Sequence, residues 1–274
     1  MTRSRPRSSA SALLLVLVMS SSVAALSLVS VQEEIQIGQE AQKEIRSKVP
    51  ELRDAAINRY IDSIGRRLAA QAPGPKYPYS FSVADYRELN AFALPGGPVW
   101  IHRGVLDAAQ NESQVAGVLA HEVSHIAKRH AAAQLTKATV TNGLLGLLGA
   151  VLSNDGTSRG EAAARIGAGL FAQGLFLKFS RDDERDADRT GVQIMRRAGW
   201  DPRGLPEFLA ILAQEQRRSP GSVEVFLSSH PAPGERVGEL QSIATGGGRR
   251  TSEEFQQIKR RLASLPAARA MPSQ

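Results

Sequence analysis

The sequence predicts a mostly helical α+β fold with a small sheet, built around one main domain. Three observations predict it. Segments rich in helix-forming residues lie towards both ends, short strands with alternating or apolar residues lie between residues 79 and 102, and helical apolar spacing follows Asn111. With 274 residues and 42% hydrophobic content, the chain is long enough to bury one sizeable core.

The N-terminal residues 1–25 are predicted to be a secretory signal peptide. Arginines at positions 3, 5 and 7 precede a nearly unbroken apolar run at 12–18, and small residues follow at 22–25. The alternative is an uncleaved membrane anchor, because apolar residues continue to Val29, although interspersed serines weaken that span. Both alternatives export the rest of the chain, and an uncleaved N-terminus would leave it in contact with a membrane.

The first elements of the main domain follow from composition and spacing. Residues 32–70 are rich in helix formers and are interrupted by Pro50, which predicts two successive helices. Residues 79–83 alternate with period two, and residues 91–94 are separated by Pro-Gly-Gly-Pro from residues 99–102, which predicts short strands joined by a turn. Asn111 is a good N-cap, and the apolar spacing beyond it predicts a helix over 112–133.

The second half of the chain is predicted to be helical. Two apolar stretches of small residues, 143–152 and 166–177, are each too short to span a bilayer and predict buried or partly mobile helices. Another helix is predicted over 182–197, and Asp201-Pro202 begins the next one. The main domain is predicted over 26–245. Residues 246–274 are then a Gly-Gly-Gly linker, a terminal helix and a disordered tail.

The charge and cysteine content exclude some functions. The formal net charge of +7 includes the three arginines of the predicted signal, and the other basic residues are scattered over helical stretches. A solvated helix surface explains them better than a polyanion site, so no nucleic acid partner is predicted. The chain has no cysteine, so disulfides and thiol-linked lipid anchors are excluded.

The predicted helix after Asn111 carries an H-E-x-x-H motif at residues 121–125. Two histidines four residues apart lie on one helix face, so His121 and His125 can reach one metal ion. Glu122 then lies beside the open position of the metal, where it can take a proton from water as a general base. The motif predicts one Zn²⁺ per chain and hydrolysis of peptide bonds.

A third protein ligand is needed, and two segments offer one. His130 lies one position too early for a third histidine of the extended H-E-x-x-H-x-x-G-x-x-H pattern. On an ideal helix it also points away from the other two. The acidic segment 182–188 is the better source, because Glu184 and Asp188 fall on or beside its small, apolar face. Glu184 is predicted as the ligand and Asp188 as the acceptor of a hydrogen bond from a ligand imidazole. A solvated acidic helix start is the alternative.

These motifs resemble those of the HtpX and CAAX prenyl protease family of gluzincin metallopeptidases, especially its exported BepA-like branch. The similarity extends over about residues 33–240. Its matching residues are Asn90 to Gly97, the motif at 121–125, Ser180-Arg181 with Glu184, Ala187 and Asp188, and His230-Pro231 with Arg236. The hydrophobic spans of HtpX and the tetratricopeptide domain of BepA have no counterpart in the sequence.

The resemblance implies a zincin fold, in which an H-E-x-x-H helix lies under a small sheet with an exposed edge strand. It implies that the segments around the Pro-Gly-Gly-Pro turn bind extended substrate, and residues 99–102 are predicted as the edge. His230 and Arg236 are predicted at the catalytic site, as oxyanion donors, with a resting-state zinc ligand as the alternative for His230. The substrate-binding residues predicted in this way are Asn90, Ala91, Phe92, Val99, Trp100 and Ile101.

The predicted function is therefore a periplasmic zinc endopeptidase for unfolded or misassembled proteins, with outer-membrane assembly proteins as further partners. The alternative is a chaperone or adaptor that binds unfolded outer-membrane proteins with little cleavage. Glu122 argues against that alternative, because binding alone does not need a general base. A purely structural zinc site is disfavoured, because such sites are usually closed by four protein ligands, often cysteines.

Overall fold

The mostly helical fold class that the sequence predicts is confirmed. A computed structural model describes residues 29–141, 178–231 and 233–272; the predicted signal and the predicted helices at 143–152 and 166–177 lie outside them. None of the described helices is long and apolar enough to cross a membrane. The elements are α1 (Val31–Lys48), α2 (Ala55–Ala69), β1 (Ser80–Ala84), β2 (Ala91–Ala93), β3 (Pro98–His102), α3 (Arg103–Ala108), α4 (Glu112–Ala127), α5 (His130–Thr141), α6 (Arg181–Ala198), α7 (Gly204–Arg218), α8 (Glu224–Ser229), α9 (Pro233–Ile243) and α10 (Glu253–Ser264).

Polar side chains cap the helices that carry the site. The side chain of Asn111 accepts a hydrogen bond from the amide of Gln114 and so begins α4 as predicted. Ser180 and Asp183 form a capping box at the start of α6, and the left-handed Gly199 ends that helix. The caps fix where each helix begins, and therefore which of its side chains face the interior.

The central helix is α4, and all of its 16 residues are buried. Helices α2, α6 and α7 and strand β2 contact it. Gly117 lets the backbone of α7 approach at Leu205, where an added Cβ would come within 2.8 Å of backbone atoms. Gly191 lies against the backbone of His121 and Ala120, so α6 also lies close to α4. This close packing brings the acidic start of α6 to the H-E-x-x-H motif.

The three-stranded sheet has the order β1-β3-β2. Strand β3 pairs with β1 in parallel and with β2 antiparallel, and all five of its residues are buried. The prediction that residues 99–102 form an exposed edge is therefore wrong: Val99, Trp100 and Ile101 lie in the middle strand. The outer strands are β1 and β2: among the described residues β2 pairs only with β3, whereas Ala84 of β1 also forms a bridge with Glu51.

The C-terminal region belongs to the main core. Phe255, Ile258 and Leu262 of α10 are buried in the same hydrophobic cluster as α2, α4 and α6. The amide of Arg269 donates to the Asp85 carbonyl, and its own carbonyl accepts from the amide of Arg87. The predicted boundary at 245 does not separate α10 from the domain, and the prediction of a disordered tail is wrong for the residues around Arg269.

Helices α3 and α10 bind each other's ends. The guanidinium of Arg103 donates to the carbonyls of Leu262 and Pro266, at 3.1 and 2.7 Å. The ammonium group of Lys259 donates to three carbonyls at the end of α3, which belong to Leu106, Asp107 and Ala109. Carbonyls at a helix end have no partner within the helix, so each cation satisfies groups that the other helix leaves open.

Candidate metal centre

The two histidines of the motif lie side by side on α4. Their Nε2 atoms are 3.1 Å apart, and both side chains are buried. This is the arrangement that spacing of four residues on a helix predicts. Glu122, the predicted proton-accepting residue of the motif, lies between them in sequence and is completely buried.

Glu184 reaches the same point from α6. Its Oε1 atom is 3.4 Å from His125 Nε2, and its Oε2 atom is 3.6 Å from His121 Nε2. His230, which follows α8, brings its Nδ1 atom to 2.8 Å from Glu184 Oε1. One donor atom from each of these four residues lies within 4.8 Å of all the others. Three imidazoles and one carboxylate form a donor set that suits a tetrahedral zinc ion.

The carboxylate of Glu122 has an unusual environment. Both of its oxygens are buried, and neither has a hydrogen-bond partner among the described residues. The nearest basic atom is His230 Nε2, 3.7 Å from Oε1. Burial raises the pKa of this carboxyl, against the attraction of His230 and His121. A buried carboxylate of this kind is suited to accepting and returning a proton.

Asp188 and Arg236 support the cluster from behind. Asp188 Oδ1 is 3.0 Å from His121 Nδ1, as the predicted hydrogen bond requires. Arg236 donates to both oxygens of Asp188, at 2.7 and 2.6 Å, and to Glu184 Oε2. The prediction of Arg236 as an oxyanion donor does not fit these contacts, because carboxylates already occupy its guanidinium. Its place in the structure is that of a group holding Glu184 and Asp188.

The ionisation of the cluster follows from these contacts. Burial opposes the charge on both carboxylates. At Glu184 the nearby His230 and Arg236 outweigh burial, so its pKa falls well below the usual range. At Asp188, Arg236 does the same, and the pKa of Asp188 is lowered too. Burial lowers the pKa of His125 well below its ordinary value, which favours a neutral imidazole. At His121 burial acts in the same direction, but Asp188 and Glu184 raise its pKa to about 9. The carboxylates therefore attract positive charge to the centre of the cluster.

Sequence reasoning missed two neighbours of His125. His130 Nδ1 lies 2.9 Å from His125 Nδ1, and the ring of Phe179 stacks on His125 with centroids 3.9 Å apart. The prediction that His130 points away assumed that α4 continues to residue 133. The helix ends at Ala127, and Arg129 adopts a positive φ of 61° that turns the chain back. The sequence carries no glycine at that position to signal the turn.

The predicted substrate residues separate into two groups. Ala91 and Phe92 lie in β2, which contacts α4, and Asn90 precedes them with its buried side-chain oxygen unpartnered among the described residues. Residues 99–101 lie in the middle strand, and their main chain is paired on both sides. Among the described residues, only the first group lies in or next to an outer strand of the sheet.

Comparison with known proteins identifies the family. The profile of Peptidase family M48 matches residues 55–244, which include the cluster and its supporting residues. The chain belongs to peptidase family M48. M48 metallopeptidases use a metal, and the described residues include a buried cluster of histidine and glutamate side chains that could hold one; the family resemblance drawn from the sequence is confirmed.

Three relatives illustrate the range of similar M48 proteins. This chain is 33% identical over 220 residues to the beta-barrel assembly-enhancing protease of Escherichia coli strain K12, covering 80% of this chain and 45% of that protein. It is 27% identical over 218 residues to the mitochondrial metalloendopeptidase OMA1 of Schizosaccharomyces pombe, covering 78% and 61%. It is 29% identical over 189 residues to metalloprotease YcaL of Escherichia coli strain K12, covering 66% and 71%. The chain thus spans less than half of the first relative.

Proposed function

We propose that this M48 metallopeptidase is a zinc endopeptidase that cleaves unfolded or misassembled proteins in the periplasm or at the outer membrane. One observation carries the proposal: a buried cluster of three histidines and a glutamate lies beside a buried carboxylate without a hydrogen-bond partner among the described residues. A binding protein has no use for that carboxylate, whereas hydrolysis requires a base at this point.

His121, His125 and Glu184 are the proposed ligands of one zinc ion per chain. Their donor atoms converge from two helices that pack closely through Gly191, which supports a preformed site. When bound, zinc would lower the pKa of a water molecule and polarise the scissile carbonyl. Asp188 keeps Nε2 of His121 free to bind, because the hydrogen bond holds the imidazole proton on Nδ1.

Glu122 is the proposed general base. Its carboxylate takes a proton from the attacking water and then delivers a proton to the leaving amine nitrogen. The raised pKa brings the carboxyl closer to the pH at which it must both accept and return this proton. Arg236 holds the neighbouring carboxylates of Glu184 and Asp188, so its effect on catalysis is indirect.

His230 is proposed as a fourth ligand in a resting state. Its Nδ1 atom lies 3.4 Å from His121 Nε2 and 2.8 Å from Glu184 Oε1, within the cluster rather than beside it. The alternative role is donation of a hydrogen bond to an oxyanion. In that role the His230 ring would have to move out of the ligand cluster and still stay close enough to reach the substrate. The distances favour the ligand role.

Substrate is proposed to bind as an extended chain along β2. The amide of His102 donates to the Asn90 carbonyl, and the amide of Leu94 donates to the Pro98 carbonyl, so residues 90 and 94 face β3. In an antiparallel pair the intervening residues 91 and 93 direct their main-chain groups to the outer edge. Pairing with this edge would use substrate backbone, which suits unfolded proteins of many sequences.

The compartment and substrates rest on the N-terminal sequence and on the relatives. The signal-like residues 1–25 support export, and an uncleaved N-terminus would add contact with a membrane. One relative is named for enhancing β-barrel assembly, which supports outer-membrane proteins and their assembly machinery as substrates and partners. The shared part is less than half of that relative, so its way of receiving substrate is not carried over.

The test compares wild-type protein with Glu122→Gln on an outer-membrane β-barrel protein, presented either unfolded or folded in detergent. We expect the wild type to cleave the unfolded form preferentially. Glu122→Gln should retain one zinc per chain and lose cleavage, because the base is not a ligand. Zinc-replete wild type that suppresses aggregation without cleaving would instead favour the chaperone alternative.

The ligand assignment is tested by measuring the zinc content of variants, with a non-ligand variant as the matched control. Glu184→Ala should lose zinc by orders of magnitude, whereas Asp182→Ala, on the same helix, should keep it within a few-fold, because Asp182 is exposed and bonds to Arg185 at 3.3 Å rather than to the cluster. Asp188→Ala should weaken zinc binding by about 10 to 100-fold. If Asp182→Ala loses zinc and Glu184→Ala does not, the ligand assignment is wrong.

A further inference from the structure

The two histidines of the H-E-x-x-H motif have different partners behind them. His121 has the carboxylate of Asp188 at its Nδ1 atom, 3.0 Å away. The corresponding atom of His125 faces another imidazole, His130 Nδ1, at 2.9 Å. Both rings direct their Nε2 atoms into the cluster, so the atom that faces outwards is Nδ1 in each case.

We propose that His130 is a positioning residue that orients His125 for metal binding. The inference rests on the proposed role of His125 as a ligand. A neutral imidazole that binds a cation through Nε2 carries its proton on Nδ1, so His125 donates and His130 Nδ1 accepts. His130 must then carry its own proton on Nε2, which faces Asp186 Oδ2 at 3.4 Å.

The surroundings of His130 agree with this direction of donation. Its Nε2 atom has two carboxylates nearby, Asp186 at 3.4 Å and Asp183 at 4.0 Å, both of which can only accept when ionised. Lys128 pairs with Asp186 at 3.0 Å, and Gln134 donates to Asp183 at 3.0 Å, so both carboxylates are held in place. The hydrogen bonds therefore run in one direction, from His125 to His130 and on to Asp186.

The backbone turn that delivers His130 is itself held by buried groups. Arg129 has a φ of 61°, a left-handed conformation that is unfavourable for a residue other than glycine. Its Nε atom donates to Glu34 of α1 at 2.6 Å, and Tyr77 donates to the same carboxylate at 3.2 Å. Without this turn, an ideal helix would carry His130 away from His125. The turn is thus the feature that gives His125 its partner.

The test measures zinc affinity by competition with a chelator in His130→Leu and His130→Asn. Leucine fills the space without an acceptor, and we expect zinc affinity to fall by about 10 to 100-fold, as for other lost partners of ligand histidines. The asparagine oxygen can take the place of Nδ1 as acceptor, so His130→Asn should recover most of the affinity. His102→Leu is the matched control, because His102 is also buried but bonds to the Glu88 carbonyl elsewhere in the fold. The zinc affinity of His102→Leu should equal that of the wild type.

A second measurement needs no variant. In zinc-bound wild type labelled with ¹⁵N, the N–H···N hydrogen bond should give a scalar coupling between Nδ1 of His125 and Nδ1 of His130. Absence of that coupling, or wild-type zinc affinity in folded His130→Leu, would overturn the inference. Equal losses in His130→Leu and His102→Leu would also overturn it, because they would reflect general destabilisation.

The outcome is distinguishable from failure of the proposed function. His125→Ala should lose zinc by orders of magnitude if His125 is a ligand. Retention of zinc in His125→Ala would contradict the proposed ligand set. Loss in His125→Ala together with unchanged affinity in His130→Leu would contradict only the positioning role of His130.

Discussion

At the scale of single residues, His230 is the side chain whose removal best separates two chemical roles. Its ring stacks on Phe226, with centroids 4.7 Å apart, while Nδ1 faces Glu184. His230 lies within the cluster of proposed zinc ligands, where it would occupy the position needed by the catalytic water. We therefore expect His230→Ala to raise the basal cleavage of a short unstructured peptide. Cleavage rates should be compared at equal zinc content. A fall of about 10² to 10³-fold would instead identify His230 as an oxyanion donor.

His102 gives the domain a pH-dependent stability that is independent of the metal. Burial lowers its pKa from 6.5 to about 4, although its hydrogen bond to the Glu88 carbonyl acts in the opposite direction. Between pH 6.5 and 4 the unfolded chain binds a proton that the folded chain excludes, so stability falls as the pH falls through this window. The lowered pKa of His102 corresponds to about 3 kcal/mol of folding stability, which is fully present above pH 6.5 and lost as the pH falls to 4.

The variant His102→Asn checks this expectation, because its amide can still donate to the Glu88 carbonyl but does not titrate. Urea unfolding at several pH values should give a stability advantage of wild type over variant that shrinks as the pH falls from 6.5 to 4. The other titratable groups are the same in both proteins, so their effects on stability cancel in the difference. A constant gap over this range would contradict the assignment.

Helix geometry alone predicts which side chains share a face of one helix. The spacing of His121 and His125 depends only on helix geometry, and so does the phase of Glu184 and Asp188 on α6. The contacts of Arg236 and His130 depend on tertiary structure. Arg236 lies 48 positions after the Asp188 that it binds, and His130 follows a turn at a residue that usually avoids positive φ.

At the scale of elements, the sheet differs from its prediction for an identifiable reason. The Pro-Gly-Gly-Pro turn correctly indicated that β2 and β3 pair, but nothing local indicated that β1 adds to the far side of β3. The apolar run Val99-Trp100-Ile101 is typical of a strand covered on both faces, which does not fit the predicted exposed edge. Parallel pairing of β1 with β3 is a long-range contact that local patterns do not report.

The edge of β2 leads to a prediction about substrate binding. Ala93→Pro removes one outward-facing N–H while leaving the bonds of Asn90 and Leu94 to β3 intact. We expect cleavage of unfolded protein to fall at least about tenfold with zinc content and thermal stability retained, because one main-chain bond to substrate is lost. Ala93→Ser keeps the N–H and is the matched control. Equal cleavage by both variants would count against pairing along β2.

At the scale of the whole molecule, α10 is part of the core and not an appendage. Phe255 is 2% exposed, whereas its neighbour Gln256 is on the solvent side. Phe255→Ala should reduce the free energy of unfolding by about 3 to 5 kcal/mol, as for other buried aromatic residues, and Gln256→Ala should change it by less than about 0.5 kcal/mol. Urea unfolding measures both. A small effect of Phe255→Ala would restore the predicted boundary at 245.

The domain boundary failed in prediction because a glycine run has two physical meanings. Three consecutive glycines are typical of a flexible linker, and the predicted boundary at 245 rests on that meaning. Here Gly248 lies where an added Cβ would come within 2.5 Å of the backbone at Trp200, so that glycine permits close packing. The segment beyond it pairs with residues 199–201 through Arg249, which carries the chain directly into the core.

The reciprocal binding of α3 and α10 gives the fold a high contact order. Arg261 pairs with Asp54 at 2.6 Å across most of the chain, and Lys259 closes the end of a helix some 150 residues earlier in sequence. Synthesis proceeds from the N-terminus, so a nascent chain can form α4 and the H-E-x-x-H motif long before α10 exists to complete the core. A compact state that includes α10 can form only after that helix has been translated, so the H-E-x-x-H motif can exist before the core around it is complete.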